Sequence, residues 1–261
     1  MSSSPAAPTL RDLLDALAPD PAPRWPSVPT APVDPGPGWT ARRTEGTHHP
    51  VWSAPVAPAE AARRWLEQRA RYERTGLWPL LVGEAFWEAV ELEPYEAPGA
   101  PAAPVAPDTP TLLRRLIGAY GDEDLDVARG PVPAPVVDGR TDEQVLVDAG
   151  ETTTLVLVPT RAPWLVPELL GWDGSVNHDV MGREHTAVLG RWAALYGAEL
   201  YALERDVVCL LVTRPPGDDR ARLLAAAEVY AYCPDAVDQG VGTLEALTAM
   251  TGSRGWWLWW D

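Results

Sequence analysis

The pattern of hydrophobic and polar positions changes twice along the chain. The first 57 residues are rich in proline, and one short amphipathic helix is predicted at 10–17 from leucines spaced i, i+3, i+4 and i+7. Helical periodicity dominates from residue 58, apart from an uninterrupted apolar run at 77–82. We therefore predict a partly ordered Pro-rich extension (1–57), a helical region with one strand (58–140) and an α+β domain (141–261).

Short apolar runs and amphipathic helices alternate in the last 120 residues. The runs Val145–Asp148 and Thr153–Val158 flank Ala149-Gly150 and predict a hairpin. Ala198–Leu203 and Val207–Thr213 predict a second hairpin. The predicted helices are 184–196, 219–232 and 243–250. The expected fold is α+β: a mostly antiparallel sheet with these helices on one face. The strand 77–82 is expected to belong to the same sheet.

The C-terminal run Trp256-Trp257-Leu258-Trp259-Trp260-Asp261 is the most apolar strand candidate. Both faces of such a strand are apolar, so we expect it to lie inside the sheet and to be buried on both sides. The alternative is an aromatic platform for a ligand, preferably a sugar. In that case Trp257 and Trp259, which share one face, are the binding residues.

The net charge of the chain limits which classes of partner it can bind. The chain has 21 basic residues, all of them arginine, against 37 acidic ones, for a net charge of −16. Nucleic acids and anionic membranes require a positive face, so neither is expected as a partner. Because only one Ile, one Phe and one Asn occur, the composition is typical of a GC-rich bacterial genome. The 13 tryptophans then serve as the bulky core residues.

Two cysteines, Cys209 and Cys233, do not make a disulfide framework. No secretory signal is visible, and no apolar stretch approaches the ~18 residues of a membrane span. We expect a cytoplasmic protein with reduced thiols. No cofactor motif is present, since Gly240-Val241-Gly242 follows a loop and lacks a third glycine.

The turn after the predicted helix 219–232 is the strongest candidate site. Cys233, Asp235, Asp238 and Gln239 place a thiol, two carboxylates and an amide within one loop held by Pro234. One interpretation is a polar pocket in which Asp235 is a general base or anchors a ligand. The other is that Asp235 or Asp238 caps a helix while Cys233 is a small buried hydrophobic residue.

Histidine is the usual base for a cysteine nucleophile, and His185 is the candidate because it lies on the apolar stripe of its helix. It is equally a histidine at the edge of the core. His178, Asp179 and His185 do not have the spacing of a known metal motif, so no metal is expected. Glu228, at the edge of an apolar helix face, either has a raised pKa or extends to water.

Several of these stretches resemble the bacterial domain-of-unknown-function family 4253. The likeness covers about residues 150–261 and the short piece Thr75–Leu80. The residues that carry it are Gly171-Trp172, Asn177, Trp192, Tyr196-Gly197-Ala198, Pro215-Pro216, Ala231-Tyr232-Cys233-Pro234-Asp235, Gln239-Gly240 and Trp257 to Asp261. The family has no established activity, so the resemblance implies a fold unit and no catalytic residue.

Two functions remain open at this point. The first is a cytoplasmic, non-enzymatic binding protein whose acidic surface suits a basic protein partner such as a cationic toxin. The second is a small-molecule hydrolase with Asp235 and Asp238 as acid and base, assisted by Cys233 or His185. The residues predicted to bind a ligand are Asn177, Glu228, Gln239, Trp257 and Trp259.

Overall fold

A computed structural model describes residues 8–22, 25–29, 31, 33–42, 50–90, 108–121, 139–146 and 153–261. Its strands are β1 (Thr40–Arg42), β2 (Val51–Pro55), β3 (Leu77–Val82), β4 (Thr154–Pro159), β5 (Ala198–Leu203), β6 (Val207–Val212) and β7 (Gly255–Trp259). They form one sheet in the order β1-β2-β4-β3-β5-β6-β7. Only β3 and β5 pair in parallel, which confirms the α+β, mostly antiparallel prediction.

The α-helices are α1 (Leu10–Asp15), α2 (Pro58–Arg69), α3 (Tyr72–Thr75), α4 (Thr109–Tyr120), α5 (Asp142–Leu146), α6 (Val166–Leu170), α7 (Gly182–Tyr196), α8 (Asp219–Tyr232) and α9 (Leu244–Thr251). Short 3₁₀ turns cover Ala85–Glu88, Pro163–Leu165 and Val176–His178, and a π-helical turn covers Ala236–Val241. The predicted helices α7, α8 and α9 are confirmed. The Asp218 carboxylate caps α8 by accepting from the Ala221 amide at 2.8 Å.

Helices cover both faces of the sheet. On one face, the indole of Trp192 in α7 packs edge-on against Trp256, with ring centroids 5.3 Å apart. The register pairs Glu199 with Leu211 and therefore places both on the opposite face. There Arg69 of α2 binds the Glu199 carboxylate through two hydrogen bonds. A core lies on each side, and indoles supply much of its volume.

The predicted first hairpin is wrong. Val145 and Leu146 end helix α5, residues 147–152 lie outside the described ranges, and β4 pairs with β2 and β3. The reason is a capping box, in which the Thr141 amide donates to Gln144 Oε1 at 2.8 Å and the Gln144 amide to Thr141 Oγ1 at 3.3 Å. Local capping therefore determines the conformation of this segment.

The last strand also differs from its prediction. β7 pairs only with β6 and is an edge strand, not an inner one. Trp256, Leu258 and Trp260 are buried, but Trp257 on the other face is 52% exposed. The tail therefore follows the ordinary alternation of a half-buried strand, even though both of its faces are apolar.

Part of the Pro-rich extension is built into the fold. Trp25 packs against Tyr72, Trp78 and Trp164, with centroids 5.3 to 6.3 Å apart. The Val33 amide also donates to the carbonyl of Thr75. Trp25 and Val33 of this segment therefore lie against the folded part of the chain.

Candidate functional site

The turn after α8 and the end of β7 form one hydrogen-bonded unit centred on Asp235. Its Oδ1 accepts from Gln239 Nε2 at 2.9 Å, and its Oδ2 accepts from the Asp261 amide at 2.9 Å. His178 Nε2 lies 3.2 Å from the same Oδ2. Asn177 also donates to the main-chain oxygen of Asp261. Asp235, 5% exposed, therefore fastens three separate chain segments together.

The π-helical turn explains how Asp235 and Gln239 meet. An extra residue per turn widens the backbone ring between Ala236 and Val241, and the Gly242 amide closes it on the carbonyl of Val237. Gly242 has φ +80°, a left-handed conformation that favours glycine and ends the turn. Asp235 neither caps a helix nor lies open in a pocket, because it accepts from Gln239 of its own turn and from the amide of Asp261 and lies beside His178.

Cys233 lies beneath this turn with no solvent access. Its thiol donates to the carbonyl of Trp259 at 2.9 Å, and burial raises the pKa of the thiol to about 12. A nucleophilic cysteine requires a lowered thiol pKa and a neighbouring base. The observed environment instead favours the protonated thiol, which ties the turn to β7.

His185 is buried in a chain of hydrogen bonds. Nδ1 lies 2.5 Å from the Tyr232 hydroxyl and Nε2 lies 3.0 Å from Ser175 Oγ, which donates to the carbonyl of Val180 at 2.7 Å. Since Ser175 uses its proton on Val180, His185 donates from Nε2 and accepts at Nδ1 from Tyr232. Burial lowers the pKa of His185 to about 3, so the imidazole is neutral at physiological pH. Cys233 is not among these partners.

The other two predicted carboxylates are held by their own neighbours. Asp238 accepts from the Tyr230 hydroxyl at 3.0 Å. Glu228 is buried between Arg191, whose Nη2 lies 2.9 Å away, and the Trp192 indole, which donates at 2.8 Å. Burial raises the pKa of Glu228, and its contacts with Arg191 and Trp192 oppose that shift. Glu228 does not extend to water.

An open cleft of about 470 Å³ lies beside the Asp235 unit, at the C-terminal end of β7. Its lining is mostly polar and combines four acidic residues with one arginine. The residues around it are Glu88, Ala89, Asp173, Gly174, Val176, Asn177, Arg205, Asp206, Trp260 and Asp261. Of the residues predicted to bind, only Asn177 lines it, whereas Gln239 stays on Asp235 and Trp257 and Trp259 lie on the other face of β7.

The acidic lining was not identified from the sequence. The sequence predicts the β5–β6 hairpin with Arg205 and Asp206 in its turn. The hydrophobic pattern does not indicate that this turn lies across a cleft from Asp173. Next to it, burial raises the pKa of Glu204 to about 7. The Glu204 carboxylate accepts from the Gly83 amide at 3.1 Å and does not line the cleft.

In the parts of the chain that the structure describes, no group of His, Cys, Asp and Glu is arranged to hold a metal ion. The helices of those same parts are too short or too polar to cross a bilayer.

The single sheet, the helices that cover it and this turn together make up an α+β fold. Residues 154–261 match the model of a family described as a domain of unknown function, DUF4253. The match covers the Asp235 unit and β4 to β7, less than half of the chain, and it does not extend to Thr75–Leu80. No curated protein and no solved structure matches the chain.

Proposed function

We propose that this protein is a non-enzymatic binding protein whose acidic cleft receives a cationic side chain of a basic protein segment. The observation that carries the proposal is the lining of the cleft, in which four carboxylates surround one guanidinium. That guanidinium, Arg205, is paired with Glu88 at 3.0 Å across exposed surface. The local charge is therefore negative, in the same sense as the net charge of −16.

The environment of the predicted catalytic residues supports binding over hydrolysis. The Cys233 thiol has a raised pKa, and the His185 imidazole has a lowered one. Asp235 accepts from two donors within the protein and lies beside His178. A general base must reach a substrate proton and have a pKa near the working pH. Cys233 and His185 do not have such a pKa, and the Asp235 carboxylate is held by groups of the protein itself.

Cys209 and Cys233 are both buried and are not joined in a disulfide, which is typical of a reducing compartment, so we propose that this interaction takes place in the cytoplasm. A basic partner protein, including a cationic toxin, has the charge that the cleft favours. Binding of this kind depends on ionic strength, because exposed charges are screened beyond about 8 Å at physiological salt.

The test uses isothermal titration calorimetry with hexa-arginine, and hexacitrulline as the uncharged probe. We expect the full chain to bind hexa-arginine only, more weakly as salt is raised. The double variant Asp173→Asn, Asp206→Asn should bind about ten-fold more weakly, since it removes two partly exposed ion pairs.

The matched control is Glu67→Gln, Glu73→Gln, which removes the same number of negative charges but on the exposed surface of α2 and α3. It should retain most of the affinity. Equal losses in both double variants would show a diffuse charge effect and would overturn the assignment to the cleft. Absence of any binding to hexa-arginine would overturn the proposal itself.

A further inference from the structure

Arg205 lies in the lining of the acidic cleft and is already paired with Glu88, which belongs to the same lining. Its Nη1 lies 3.0 Å from Glu88 Oε2. We propose that Arg205 is an internal competitor for the cleft: its guanidinium occupies Glu88, and a cationic side chain of the partner replaces it there on binding. The inference rests on the function proposed above and identifies a residue that sets the affinity of that site.

The main chain that carries Arg205 is held in place on both sides. The Glu204 carbonyl accepts from the indole of Trp172 at 2.8 Å. On the other side, the carbonyl of Asp206 accepts from the Trp260 amide at 3.1 Å. The β5–β6 turn is thus fastened to two neighbouring segments, so any movement of Arg205 is confined to its side chain.

Glu88 is anchored in the same way. It ends a 3₁₀ turn, and the next two residues, Ala89 and Val90, are buried. The Ala89 carbonyl accepts from the Asp173 amide at 3.0 Å, and Val90 forms a β-bridge with Trp172. Both ends of the ion pair are therefore built on main chain that is attached to residues 172 and 173, and rotation of the two side chains is enough to open it.

Exposure makes this pair easy to open. The Arg205 and Glu88 side chains are 65% and 66% exposed. Water solvates both charges when such a pair separates, so exposed ion pairs contribute little to stability. By contrast, the side chains of Arg191 and Glu228 are 3% and 1% exposed, and no partner can displace either of them. Of these two ion pairs, the one in the cleft is the one that an incoming cation can replace.

Arg205 opposes binding in two ways. While it is in place, one of the four carboxylates that line the cleft is occupied, and an entering cation meets a like charge. An arginine of the partner offers Glu88 the same planar fork of donors that Arg205 offers. The exchange of one guanidinium for another therefore keeps the contact of Glu88 and releases Arg205 to water.

The test measures the affinity of the full chain for hexa-arginine by isothermal titration calorimetry at low salt. Arg205→Gln should bind about three-fold more tightly than wild type, because Glu88 is then available and the like charge is gone. The difference should shrink as salt is raised. Arg205→Lys should bind more weakly than Arg205→Gln, since lysine keeps the competing charge.

The matched control is Arg63→Gln, which also removes one exposed arginine that is paired with glutamates. Arg63 lies on α2 beside Glu60 and Glu67, and it does not line the cleft. Its substitution should change the affinity much less than Arg205→Gln does. Equal tightening in both variants would show a general effect of net charge and would overturn the inference.

A crystal structure of the complex with hexa-arginine gives a second measurement. The inference predicts a peptide guanidinium on the Glu88 carboxylate, with Arg205 turned away from it. If the peptide occupies the cleft while Arg205 stays on Glu88, or if Arg205→Gln binds no more tightly than wild type, the inference is wrong and the proposed function stands. If neither wild type nor Arg205→Gln binds hexa-arginine, the proposed function fails and this inference fails with it.

Discussion

At the scale of single residues, several buried polar groups around the Asp235 turn have specific partners. The His185 imidazole connects Tyr232 to Ser175, and Asp235 accepts from Gln239 and from the Asp261 amide and lies 3.2 Å from His178 Nε2. An unsatisfied buried polar atom costs about 1–3 kcal/mol, so each of these bonds matters more to stability than its net strength implies. These residues position the end of β7, which in turn shapes one wall of the cleft.

Glu204 gives a pH-dependent prediction at this scale. Its folded-state pKa of about 7 lies above the ordinary value of 4.5 because burial disfavours the charged carboxylate. Protonation therefore favours the folded state, and stability falls as the pH rises from 4.5 through 7. Glu204→Gln should raise the free energy of unfolding by about 1 kcal/mol at pH 8. This free energy is well below the one that the pKa shift would give for a fully buried carboxylate, because the side chain is partly exposed and solvent screens its charge.

Urea unfolding of both proteins at pH 4 and at pH 8 measures this difference. We expect equal stability at pH 4, where both side chains are neutral. Glu88→Gln is the matched control, because it removes an exposed carboxylate nearby. A Glu204→Gln variant that is less stable than wild type at pH 8 would contradict the burial penalty.

Residue identities predicted the members of the Asp235 turn but not their contacts. The sequence placed Cys233, Asp235 and Gln239 in one loop, and the structure places them in one loop. It gave no indication that His178 and Asp261, distant in sequence, bind the same carboxylate. Such contacts depend on tertiary packing, which local patterns do not encode.

At the scale of elements, a buried ion pair fastens α7 to α8. Arg191 and Glu228 are each almost inaccessible, and their charged atoms lie 2.9 Å apart. Arg191 also donates to the carbonyl of Ala18 at 2.8 Å and lies 2.9 Å from the Asp20 carboxylate. The pair thus joins two helices to the segment after α1.

Breaking this pair from one side should be costly. Glu228→Leu leaves the Arg191 guanidinium buried without Glu228 and should lower the free energy of unfolding by about 3–5 kcal/mol. The double variant Arg191→Met, Glu228→Leu should recover a large part of the loss, because no charge of the pair stays buried. Chemical denaturation of the two single variants and the double variant provides the cycle.

The exposed pair Arg205 and Glu88 is the matched control, for which the same kind of cycle should give a coupling energy of about 0.5 kcal/mol or less. If the buried and exposed pairs yielded the same small coupling energy, Arg191 and Glu228 would not have the fastening role described.

Elements with strong local signals were predicted well. Periodicity and capping identified α7, α8 and α9, and Gly197, in the left-handed conformation, ends α7 where expected. The α5 segment was predicted as a strand from its apolar residues, and the capping box of Thr141 and Gln144 was not recognised. β7 was placed inside the sheet because the composition of a strand does not determine its neighbours.

At the scale of the whole molecule, one sheet joins the segments that the sequence pattern separates. β3 lies between β4 and β5, so the strands of residues 154–261 are continuous only through a strand outside the family match. β1 and β2 extend the sheet at the far side from β7. The predicted boundaries at residues 57 and 140 therefore separate strands of a single sheet.

The charge of the molecule was visible in the sequence, but its concentration in a cleft was not. The net charge of −16 is a sum, and the carboxylates of Asp173 and Asp206 reach the same cleft only because the β5–β6 turn meets the chain after α6. The net charge attracts a basic partner at long range, whereas the carboxylates that line the cleft determine where that partner binds.

The central claim is that a cationic side chain of a basic segment binds in this cleft. A crystal structure of the full chain with hexa-arginine tests it most directly. The account predicts a guanidinium within hydrogen-bond distance of the Asp173 or Asp206 carboxylate, beside Trp260. An empty cleft at saturating peptide, or a peptide bound only elsewhere on the surface, would contradict it.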